Sequence, residues 1–213
     1  MQLHLVESRP DTDRQRDANR KPAELIAFAS IKPGDKVADF MPDGGYFTRI
    51  FCKVVGDAGH VYVIGVMRLA AAPPPAASEA AGACHNVTTS NLKSRLVPAP
   101  ELHDDSDPGY VYEYWSSSPA AENFTAPEPL DVIWISENYH DLHSKAFGSP
   151  DMSRVNTALL AALKPGGLLL IEAHAVKQVR REVTEAGFEF FGELHDGADK
   201  RIVLKFRKPP SQR

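Results

Sequence analysis

A chain of 213 residues has room for one well-buried domain and is short for two, and a 43% apolar share beside 24% charged residues marks a globular protein. The formal net charge of −4 offers no general attraction for nucleic acid or an anionic membrane, and no apolar run approaches the roughly 18 residues a membrane span requires. The opening residues Met1-Gln2-Leu3-His4 lack the basic-then-apolar layout of a secretory signal, so a cytoplasmic location without nucleic-acid or membrane partners is expected.

Residues 1–20 are polar and charge-mixed, with Arg14, Arg16, Asp17 and Arg20 close together, and read as a partly mobile extension before a single domain over 21–213. Pro22 suits a helix's first turn, and Leu25, Ile26, Phe28 and Ala29 supply its apolar stripe, so this helix should dock against the sheet edge and cover the site. Lys36 to Phe40 is a short apolar strand. It breaks at Met41-Pro42-Asp43-Gly44-Gly45 into an amphipathic helix over Tyr46 to Val55. The run His60 to Val66 does not alternate and suits a strand buried on both faces, parallel and adjacent to the first. A strand, tight turn and helix in this order place backbone N–H groups and a helix dipole at the mouth of a parallel sheet, where α/β domains hold small ligands.

The low-complexity stretch 70–83 reads as an extended loop or short helix, Asn86 to Leu96 as a helix, and Gly109 to Trp115 as the third strand. The aromatic residues Tyr110, Tyr112, Tyr114 and Trp115 read as sheet packing. Cys52 and Cys84 have no C-x-x-C spacing and read as ordinary thiols. Leu130 to Ser136 is a buried strand that runs into Glu137-Asn138-Tyr139-His140-Asp141-Leu142-His143. A helix over about 153–163, a strand over 168–173 and a helix over 176–186 follow. The runs 188–194 and 201–206 then pair across a connection too short for a helical crossover, and so are antiparallel.

Three features, D-x-x-P-D-G-G-Y from Asp39, L-K-P-G-G-L-L-L-I-E from Leu163, and A-G-F at Ala186 followed by a closing hairpin, resemble the class I S-adenosylmethionine-dependent methyltransferase fold. The runs R-D-A-N-R-K-P-A-E-L from Arg16 and N-Y-H-D from Asn138 resemble a family of predicted bacterial methyltransferases of unassigned substrate. The resemblance implies an α/β, Rossmann-like, seven-stranded sheet, mostly parallel, with the last strand antiparallel and inserted beside the fifth, and helices on both faces. It implies S-adenosylmethionine as cofactor, with Asp39, Gly44 and Gly45 receiving its amino-acid end and Tyr46 and Thr48 opening the helix. The usual alternate glycines fall here at Met41, Asp43 and Gly45, and the usual ribose-binding acid after the second strand is replaced by Gly65-Val66-Met67-Arg68.

The expected activity is therefore methyl transfer to a small molecule, with a homodimer left open. Asn138, Tyr139 and His140 at the sheet's carboxyl edge are the candidate catalytic group, with His140 as general base oriented by Asp141 or Glu137. His140 and His143 are too weak a pattern for a metal site, and none is expected. Glu172 and His174 read as rim or solvent groups. The departures at Asp43 and Gly65 open an alternative, a methyltransferase-like protein without catalysis that binds a ligand or regulates a partner.

Overall fold

A computed structural model describes residues 9–66, 86–92, 95–98, 115–118, 120–195 and 201–211. Two helices, α1 (Asp11–Arg20) and α2 (Pro22–Ala29), lead into β1 (Lys36–Phe40), α3 (Tyr46–Val55) and β2 (His60–Val66). The strands β3 (Val87–Leu92), β4 (Arg95–Pro98) and β5 (Trp115–Ser118) follow, then β6 (Leu130–Ser136), α4 (Met152–Ala162) and β7 (Leu163–Ala173). The described elements end with α5 (Val176–Glu185), β8 (Glu189–His195) and β9 (Ile202–Arg207).

Seven strands form one sheet in the order β3-β2-β1-β6-β7-β9-β8. The five from β3 to β7 are mutually parallel. The last strand, β9, lies antiparallel between β7 and β8, as the resemblance implied. A separate antiparallel pair joins β4 to β5.

The non-alternating apolar runs are explained by burial on both faces. Along β6, Val132 and Trp134 face a core shared with α2 and α3, while Ile133 and Ile135 face a second core shared with α4 and α5. Phe47 and Phe51, one turn apart on α3, close on the Trp134 ring at centroid distances of 4.7 and 5.7 Å. Asp151 caps α4 by accepting from the Ser153 amide at 2.9 Å. In the turn entering the apolar part of β7, a Cβ on Gly167 would meet the Lys164 carbonyl at 2.9 Å and the Leu130 carbonyl at 3.1 Å, so that close approach requires glycine.

Two sequence expectations change, and two others fall largely outside the described residues. Val87–Leu92, expected as helix, is the sheet's edge strand, paired in register with β2 from Val61 to Val66. Of the expected third strand, Trp115 opens β5 and the preceding residues lie outside the described residues, as does the stretch 70–83. Cys52 is disulfide-bonded rather than an ordinary thiol, and Cys84 lies outside the described residues. Among the described residues no helix is long and apolar enough to cross a membrane.

Candidate functional site

The turn after β1 has an unusual backbone. Met41, Asp43 and Gly45 all adopt left-handed φ, at 59°, 50° and 75°. Side-chain-bearing residues avoid this region, at a cost of roughly 1–2 kcal/mol each, so two of the three positions hold a glycine conformation without glycine. Gly44, between them, has open space where a Cβ would stand.

Surrounding groups hold the turn in place. The Met41 amide donates to the Ile64 carbonyl at 2.8 Å, and its carbonyl accepts from the Asn138 side-chain amide at 2.7 Å. Arg49 donates to the Gly44 carbonyl at 2.9 Å and forks onto Asp13 of α1 at 2.7 and 2.8 Å. Asp39 lies beneath the turn, 1% exposed, and accepts from the Thr48 hydroxyl at 2.6 Å. Burial pushes the Asp39 carboxyl up to about 7, the Thr48 hydrogen bond opposes this, and the nearby Asp43 charge adds to it.

A cleft of about 280 Å3, counting its open mouth, runs between this turn, α1 and the end of β6. Asp39, Met41, Asp43 and Gly44 line it on the turn side, Arg16 and Arg20 from α1, and Ser136 from β6. The Tyr46 ring, also in its wall, has the guanidiniums of Arg9, Arg16 and Arg20 within 5.8 Å of its centroid. Its hydroxyl donates to Asp17 at 2.7 Å. Burial and that carboxylate both raise the phenol above its ordinary range.

Arg20 is the anchor of α1. It donates to Glu137 at 2.9 Å, to Glu172 at 3.3 Å and to the Ser136 hydroxyl at 2.9 Å, and Ser136 in turn donates to Glu172 at 2.6 Å. Arg201, at the start of β9, reaches Glu137 at 3.3 Å and the Asn19 carbonyl at 3.2 Å. Burial raises the Glu172 carboxyl against the pull of Arg20 and Ser136. Burial works the same way on Glu137, but the two arginines overcome it and leave that carboxyl below its usual range.

The expected site residues thus separate. Asp39, Met41, Asp43, Gly44 and Tyr46 meet at the cleft, Thr48 supports Asp39, and Gly45 supplies the turn. Gly65, one residue before the end of β2, is outside the cleft lining. Asn138 supports the turn from below. Tyr139 is buried and bonds Asn156 and Glu182, and His140 is largely exposed beside Asp141 at 3.3 Å. His143 pairs with Glu182 at 3.0 Å, away from His140's partner. Glu172, expected at the rim, is 2% exposed, while His174 is exposed. The helix expected to cover the site, α2, packs into the core, and α1 forms the cleft wall instead. Glu137, expected to orient His140, is instead held by Arg20 and Arg201, and Ser136 and Arg201 carried no sequence signal beyond their places at the end of β6 and just before β9.

No protein-family model matches the sequence, and no curated protein matches it. Solved structures do match. A SAM dependent methyltransferase from Aquifex aeolicus superposes with a TM-score of 0.61 at 15% identity, covering 94% of this chain and 99% of that one. The [4+2]-cyclase SpnF gives 0.61 at 14% identity, over 92% of this chain and 84% of its own. The N-methyltransferase NodS from Bradyrhizobium japonicum WM9, in complex with S-adenosyl-L-homocysteine, gives 0.54 at 15%, over 96% and 94%. Identities this low establish architecture, and together with the strand order they place the chain in the class I S-adenosylmethionine-dependent methyltransferase fold.

Proposed function

We propose that the chain binds S-adenosylmethionine at the turn after β1 and transfers its methyl group to a small molecule. The observation that carries this reading is the left-handed backbone at Met41, Asp43 and Gly45, which keeps the shape of a glycine-rich ligand loop where two glycines are missing. Asp39 beneath that loop suits an ammonium group. Asp43 adds a second carboxylate to the cleft, favourable to a ligand that carries both an ammonium and a sulfonium charge.

When bound, the cofactor supplies an electrophilic methyl group. The chain's own part is positioning. Asn138 and Arg49 fix the turn through the Met41 and Gly44 carbonyls, Gly44 leaves the backbone open to close approach, and α1 forms one wall of the cleft. For an acceptor that must lose a proton, His140 beside Asp141 is the proposed base.

Calorimetric titration with S-adenosylmethionine and S-adenosylhomocysteine tests the binding step. Saturable heat that weakens at least tenfold in Asp39→Asn is expected, on the scale of a charge-assisted hydrogen bond. Silence at millimolar ligand would sink the proposal.

A second reading has its own support. The second strand ends in Gly65-Val66, without a carboxylate for ribose hydroxyls, and the [4+2]-cyclase SpnF shares the fold. Ligand binding without methyl transfer therefore stands as the alternative. Cofactor binding without turnover against a broad panel of hydroxyl, amine and thiol acceptors would favour it.

A further inference from the structure

We infer that α1 carries a carboxylate-binding subsite in the cleft, with Arg16 as its principal contact. The inference rests on the proposed cofactor site and adds Arg16 of α1 to it. Four arginines lie between residues 9 and 20, and three of them are committed to carboxylates. Arg9 pairs with Asp17, Arg14 pairs with Asp11, and Arg20 pairs with Glu137 and Glu172. Arg16 has no hydrogen-bond or ion-pair partner among the described residues, and it lines the cleft.

Its placement is defined all the same. The guanidinium rests 4.8 Å from the Tyr46 ring centroid, and Tyr46 is itself fixed by its hydrogen bond to Asp17. A guanidinium held beside a ring keeps N–H donors for a planar acceptor, which a carboxylate can match with two parallel hydrogen bonds. Arg20 lines the same cleft at 6% exposure, and its Nε has no hydrogen-bond partner among the described residues.

The cleft's other charges narrow the ligand class. Asp39 and Asp43 would repel a simple anion, so the carboxylate that fits belongs to a molecule that also carries a positive group. Two sources share that chemistry: the amino-acid end of the cofactor, and an amino-carboxylate acceptor bound next to it.

Arg16→Ala removes an exposed side chain without breaking an ion pair, so the variant should fold, and Arg14→Ala is the control from the same helix. The probes are S-adenosylhomocysteine, 5′-methylthioadenosine (which lacks the amino-acid end), and glycine added to the protein saturated with S-adenosylhomocysteine. If the carboxylate is the cofactor's, Arg16→Ala weakens S-adenosylhomocysteine by roughly 10- to 100-fold and leaves methylthioadenosine unchanged. If it is the acceptor's, S-adenosylhomocysteine binding is unchanged and the chemical-shift response to glycine is lost. Arg14→Ala should match the wild type in both cases. Equal binding of every probe to wild type and Arg16→Ala overturns the subsite. Should S-adenosylhomocysteine fail to bind the wild type, the proposed function falls separately. Glycine is then titrated onto the unliganded protein, where an Arg16-dependent response upholds the subsite and its absence overturns it.

Discussion

Replacing Asp39 with Asn should flatten the dependence of stability on pH. Asp39 is 1% exposed, and its carboxyl is raised from 3.8 to about 7, first by burial and then by the Asp43 charge, against the hydrogen bond from Thr48. A folded-state pKa above the unfolded value means that the native state holds the proton more tightly, so the contribution of Asp39 to stability is fully present at low pH and is lost as pH rises from about 3.8 to about 7. At about 1.4 kcal/mol per pH unit, the stretch from pH 5 to pH 7 corresponds to roughly 3 kcal/mol, an upper bound for a site that relaxes or admits water. Asn keeps the shape and an acceptor for Thr48 and cannot ionise. Urea unfolding at pH 5 and pH 8 reads the effect directly. The wild type should lose more stability between the two than the variant does, by on the order of 2–3 kcal/mol. Parallel losses would show that Asp39 titrates in the fold as it does in the unfolded chain, and the account of a desolvated carboxyl would be wrong.

Other substitutions read other parts of the site. Asp43→Gly places glycine at a φ of 50° and should raise stability by about 0.5–1 kcal/mol, since relief of the left-handed conformation is partly offset by a freer unfolded chain; an unchanged urea midpoint would refute it. Arg20→Ala leaves Glu137 and the buried Glu172 with Arg201 as their remaining cation and should cost about 1.5–3 kcal/mol, with proteolysis in α1 as a second readout. Cys52 should resist alkylation in the denatured protein until a reductant is added, and reduction should lower the melting temperature. Labelling of Cys52 without reductant would refute the bond.

The central strands were legible because burial on both faces leaves an unbroken apolar run, as in His60 to Val66 and Leu130 to Ser136. The edge strand was not. Val87-Thr88-Thr89-Ser90-Asn91-Leu92 is too polar for the apolar pattern to register, although its β-branched residues suited a strand. The contribution of α1 was hidden for a different reason. It has little apolar face, and it is held by ion pairs and hydrogen bonds: Asp13 with Arg49, Asp17 with the Tyr46 hydroxyl, and Arg20 with residues at the ends of β6 and β7. No periodicity reports a helix held that way. The expectation that Asn138 is catalytic came from its place after β6, and the structure gives that same place a supporting role through the Met41 carbonyl.

Asp43 changes meaning once its backbone is known. From sequence it is a side chain standing where the loop should be bare, which weighs against a ligand. In the fold it holds the glycine conformation, as does Met41, and ordinary turns do not retain two such residues within three positions without something to fix them. The hydrogen bonds that fix them come from β2, from Asn138 and, through Arg49, from α1. Those contacts let the turn keep a strained path, as a loop that brings its backbone close to a ligand requires. The strain therefore argues for a binding loop, and the two carboxylates it presents argue for a cationic ligand.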